Sequence, residues 1–112
     1  MSRKPWAYHA IASSERDGES DKGEKVAFHF ALNTPHQIDD ESWGCTIRME
    51  GFTSKPLTII GVDSWQSLTL AIALIQQSLT YFIEDGGRLF FKDSASPMDI
   101  QDVALKFPSK RA

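Results

Sequence analysis

The sequence predicts an α+β fold, a four- to five-stranded, mostly antiparallel sheet with one long helix across one face. The element order is β-β-β-β-α-β, with a short C-terminal helix as an optional last element. Three observations carry this. Residues 25–33 alternate, with Val26, Phe28, Phe30 and Leu32 on one parity and Ala27, His29 and Ala31 on the other, the period of a half-buried strand. Residues 64–84 repeat apolar side chains at Leu68, Ile72, Ile75, Leu79 and Phe82, the period of an amphipathic helix. The 112 residues hold a single core and no second one.

In chain order, Trp6–Ser14 alternates loosely and reads as the first strand. Glu15–Glu24 is rich in Asp, Glu, Ser and Gly and reads as a mobile hairpin loop. Pairing Ala12 with Val26 sets Ala10 against Phe28 and Tyr8 against Phe30, so small residues meet large ones. Residues 34–41 form a connector, and Ser42–Glu50 is the third strand with Trp43, Cys45, Ile47 and Met49 inward. After the turn 51–56, Leu57–Val62 is nearly all apolar, which suits a strand covered on both faces or near the sheet centre.

Asp63 is a suitable N-cap, and Gln66 three residues on completes a capping-box pattern. Trp65, Ala71 and Ile83 flank the buried stripe. Gly86-Gly87 supplies the left-handed stop. Arg88–Lys92 is the fifth strand, residues 93–97 a loop, and Asp99–Phe107 a short helix. Residues 5–107 are expected to fold, and 1–4 and 108–112 to be disordered tails.

Formal charge is −3, but residues 5–105 hold 7 basic against 15 acidic side chains, a balance of −8. That body disfavours nucleic acid, which demands basic charge to displace counterions, and suits a basic protein partner. No apolar run nears ~18 residues, so no membrane span is expected. The start of the chain lacks the apolar segment of a secretory leader. The single cysteine, Cys45, suits a reduced, buried thiol. The cytoplasm is the expected compartment.

No catalytic set emerges, so the chain is read as not an enzyme, with no cofactor. His9 and His29 face each other in the hairpin register above, but zinc takes three or four ligands, so no metal is expected. Asp17-Gly18-Glu19-Ser20-Asp21 has a calcium-like spacing without the closing Glu of an EF-hand loop. The acidic residues Glu15, Asp17, Glu19, Asp21, Asp39, Asp40 and Glu41 are the candidate partner-binding set. A second stripe on the helix, Leu70, Leu74 and Tyr81, projects away from Leu68, Ile75 and Leu79. It is either covered by the C-terminal segment or is an interface.

Trp43-Gly44-Cys45, then Gly61-Val62-Asp63-Ser64-Trp65-Gln66-Ser67-Leu68-Thr69-Leu70-Ala71, then Gly87-Arg88-Leu89-Phe90-Phe91 resemble a family of short uncharacterised bacterial proteins. That group has a W-x-C strand, a G-V-D-x-x-Q-A-L-x-L-A helix start and a short G-x-L strand. Ser67 stands where Ala is common. The family is one of unknown function, so the resemblance implies a fold and a bacterial source, with no site residues to carry over. Size and acidic charge suggest an immunity-type inhibitor, a module that neutralises a basic toxin domain through its acidic segments. The alternatives are a structural homo-oligomer, such as a homodimer, built on the helix stripe, or a small-molecule-binding domain with a pocket between sheet and helix.

Overall fold

The computed structural model describes residues 10–94 and 96–98. Its elements are β1 (Ala10–Glu19), β2 (Lys25–Asn33), β3 (His36–Asp39), β4 (Ser42–Glu50), β5 (Leu57–Gly61), α1 (Ser64–Glu84), β6 (Arg88–Phe91) and β7 (Pro97–Met98). All strand pairs are antiparallel. The chain is therefore α+β, with one sheet and one long helix, as its two periodicities require. The short helix expected at 99–107, the start of the first strand and both tails lie outside the described residues.

Two strands appear beyond those expected. β3 forms in the supposed connector and β7 follows the supposed loop. β4 organises the sheet. Gly44 pairs with His36 of β3 on one side and Ile60 of β5 on the other, and Ile47 pairs with Leu32 of β2 and Leu57 of β5. β2 and β3 thus lie end to end along one side of β4, interrupted at Thr34-Pro35. β1, β6 and β7 continue outward from β2.

The first hairpin corrects the expected register by six residues. Val26 faces Gly18, not Ala12, and His29 faces Glu15. Glu15–Glu19 is strand, and the reversal is confined to Ser20–Glu24. There the Ser20 hydroxyl accepts from the amides of Lys22 and Glu24 at 3.2 and 3.1 Å. Gly23 takes a φ of 84° that side-chain-bearing residues rarely adopt. Gly18 suits this register, since a Cβ there would lie 2.5 Å from the Phe28 ring, which stands diagonally across from it.

β5 also departs from expectation. It is an edge among the described strands, with Leu57 and Ile60 exposed. Its apolar run is longer than the one inward-facing parity demands.

The helix begins and ends where its caps predict. The Asp63 carboxylate accepts from the Gln66 amide at 2.8 Å, a cap that contributes about 1 kcal/mol. The Gln66 side chain reaches past the cap and accepts from the Val62 amide at 2.8 Å. Gly86, at φ 99°, closes the other end by donating to the Ile83 carbonyl at 3.0 Å. The core lies between α1 and the sheet: Phe28, Phe30, Cys45, Ile47, Met49, Ala71, Leu79, Leu89 and Met98 are all buried. α1 packs mainly over β4 and β5 and touches β2 and β6 only lightly.

Candidate functional site

The acidic candidates do not form one surface. Glu15, Asp17 and Glu19 alternate on the sheet face away from the helix, opposite His29, Ala27 and Lys25. Each is engaged within the chain: Glu15 with Lys92 at 3.8 Å, Glu19 with Lys25 at 3.6 Å, and Asp17 by accepting from the Asp93 amide at 3.0 Å. Such exposed ion pairs contribute under about 1 kcal/mol each. Asp21 is exposed in the β1–β2 turn. Asp39, Asp40 and Glu41 belong to the β3–β4 turn at the opposite end. The eight steps of β2 alone separate the two ends by about 26 Å.

Asp39 serves its own turn. Its carboxylate accepts from the Glu41 amide and the Ser42 hydroxyl, both at 2.8 Å. These bonds, the amide first, hold its pKa below the usual carboxylate value. Asp40 and Glu41 are exposed beside it.

The histidines give no cluster. His9 lies outside the described residues. His29 sits between cross-strand Glu15 and Glu50, with its Nδ1 3.8 Å from the Glu50 carboxylate. Among the described residues no three His, Cys, Asp or Glu side chains gather as a metal site. Cys45 is fully buried and donates weakly to the Asn33 carbonyl at 3.4 Å. Burial pushes its pKa up and keeps it a thiol.

The helix stripe is altered in membership. Tyr81 and Leu70 are exposed, by 55% and 45%. Leu74 instead packs against the core, because at about 100° per residue it lies at the border of the buried side. Trp65, expected to flank the buried stripe, is 74% exposed, on the opposite border of the outer face. Between them lie Thr69, Ala73 and Gln77, and the Gln77 amide donates to the Tyr81 hydroxyl at 3.0 Å. From Ser64 to Ile83 the helix holds no charged side chain. An exposed helix face ordinarily carries charge, and this one does not. Among the described residues no helix is long and apolar enough to cross a membrane.

The second feature is a groove of about 280 Å³ between α1 and the inner side of β1. Ile72, Ile75 and Leu79 form the helix wall, and Phe30 and Leu32 the floor. Ala12 and Ser14 are too small to fill the space beside a helix displaced toward β4 and β5. Arg16 stands at one end, on the inner parity of β1 opposite Phe28. Reading this segment as a loop missed that placement. A signal was there: acids fall on every second residue at 15, 17, 19 and 21, the period of a strand.

No protein-family model, curated protein or solved structure matches the chain. The resemblance through Trp43–Cys45, Gly61–Ala71 and Gly87–Phe91 rests on those residues alone. Several have structural roles: Cys45 fills the core, Asp63 caps, and Gly61 makes room for the helix.

Proposed function

We propose that this chain is a non-enzymatic protein-binding module, that its binding surface is the outer face of α1, and that a second copy of the chain fits that face. The observation that carries the reading is the uncharged run Ser64–Ile83 with Trp65, Leu70 and Tyr81 in solvent. Two copies with acidic bodies repel over most approaches. Between Asp63 and Glu84 this face presents no charge, and acids of the two copies approach each other only at the helix ends. An antiparallel, two-fold pairing about Ala73 sets Trp65 at the level of Tyr81 in the second copy, and Leu70 near Gln77. Ala73 is small enough for helix axes to approach to about 8–10 Å, and such a two-fold contact is closed.

Sedimentation of the full chain tests this. The expected result is twice the monomer mass at high micromolar concentration. Leu70→Glu should raise the dissociation constant at least about tenfold, because two leucines leave the interface and each, 45% exposed in the monomer, forfeits about half of the roughly 1.5–3 kcal/mol that full burial is worth. A native chain that stays monomeric, or a Leu70→Glu variant that dimerises equally, overturns the reading.

A second reading, the immunity-type inhibitor in a bacterial cytoplasm, is supported by the −8 balance of residues 5–105 and by the exposure of Asp40 and Glu41. Its test is rescue of cells expressing a basic toxin domain encoded beside this chain. Rescue should weaken when Asp40 and Glu41 are both changed to Lys. Growth arrest unchanged by the native chain removes it.

A further inference from the structure

The groove beside β1 calls for an occupant of its own, independent of what α1 binds on its outer side. Its walls are apolar, and Met98 closes part of it. Among its lining residues the one charged side chain is Arg16, and no carboxylate joins it. In a chain of net charge −3, this is a local inversion of sign.

Arg16 is held in position. Its Nη1 donates to the Ser14 hydroxyl at 2.5 Å and to the Glu15 carbonyl at 2.8 Å. Its guanidinium carbon lies 5.3 Å from the centre of the Phe91 ring. Ring stacking and two hydrogen bonds fix the plane of the group before any ligand arrives. Both of those bonds leave from Nη1. The Nε and Nη2 edge is the one left to donate two parallel bonds, the geometry that matches a carboxylate.

We infer that the groove binds a small amphipathic carboxylate, with its head on Arg16 and its apolar chain along Ile75, Ile72 and Leu32. The groove, about 280 Å³ and open to solvent, takes a saturated chain of medium length lying along its apolar walls. A longer chain emerges past Ala12, which is exposed at the open end.

Octanoate is the probe. Titrated into the ¹⁵N-labelled full chain, it should give saturable shifts confined to Ala12–Arg16, Phe30–Leu32 and Ile72–Leu79. Octanol, with the same chain and no charge, should bind at least tenfold more weakly, as should octanoate to Arg16→Gln. One charge-assisted pair is worth that factor or more. Arg16→Lys should recover only part of the affinity, since an ammonium lacks the fork. Ala12→Phe, at an exposed position, should block binding by filling the groove from the sheet side, with Arg16 intact. Absence of saturable shifts overturns the inference. So does equal binding of octanol and octanoate, or octanoate binding unaffected by both Arg16→Gln and Ala12→Phe.

Discussion

Gly61→Ala is expected to destabilise the fold by about 3 kcal/mol or more, at the upper end of what overpacking costs. A Cβ at Gly61 would lie 2.5 Å from the Ser67 backbone nitrogen and 3.0 Å from both the Gln66 carbonyl carbon and the Ser67 Cα. These are atoms of the first helical turn, so no side-chain rotation relieves the clash. Either β5 leaves β4, where Gly61 pairs with Trp43, or the helix start moves outward. Outward movement strains the Asp63 cap and the Gln66–Val62 bond together. Urea unfolding of native and variant chains measures the loss as a lower midpoint at constant slope. A change within 0.5 kcal/mol would show that the helix start yields freely and that this close approach is not needed.

Ile47→Ala should cost about 2–5 kcal/mol. Ile47 is among the largest fully buried side chains, 1% exposed. It lies on the middle strand with Leu32 on one side and Leu57 on the other. The helix and two neighbouring strands surround it, so little can collapse into the space left by the lost methyl groups. A domain of this size has only about 5–15 kcal/mol in total, so the variant is expected to be partly unfolded at 37 °C. Ile47→Val keeps most of the volume and should lose only about 0.5–1.5 kcal/mol. If both variants unfold at the same denaturant concentration, cavity formation at this site is not the determinant. Leu57→Ala, on the exposed edge, serves as the comparison and should cost far less.

The sequence was legible where one period governed a long segment. The helix lies at Ser64–Glu84 because its apolar phase, its Asp63 cap and its Gly86 stop agree. β2 and β4 were legible because large apolar side chains fall on one parity of each strand and small or polar ones on the other. The first hairpin was not. The alternating acids at 15, 17, 19 and 21 mark the segment as strand but do not fix its register, which sets Gly18 beside the Phe28 ring, a long-range condition. The acids that made 15–24 resemble a loop are tolerated because an antiparallel sheet can keep one face wet. The edge position of β5 was illegible for a related reason. Leu57, Ile60 and Val62 are apolar on both parities, and an apolar run does not say how many of its faces are covered.

Of the candidate surfaces, the acidic clusters were found in sequence but not their separation, because distance along β2 is a property of topology. The helix stripe was half legible. Phase gave Leu70 and Tyr81 correctly, but it set Leu74 outside and Trp65 beside the core, since each lies at a border where packing decides. The groove was invisible. It arises from a helix set to one side of the sheet and small residues on β1, and neither is readable before the strands are placed.

The double flanking of β4 bears on how the chain comes apart. β4 holds β5 on one side and β2 with β3 on the other, and β2 in turn lies between β4 and β1, so the backbone groups of these two strands are shared on both sides. β5 and β7 can open without them, each at a cost below that of global unfolding, whereas β4 cannot open without releasing the strands on both sides. With only Thr34-Pro35 between them, β2 and β3 form a nearly continuous stretch of chain that follows β4 along one side. Local opening is therefore expected at the margins of the sheet, while the two nine-residue strands β2 and β4 form the pair whose separation breaks the sheet in two.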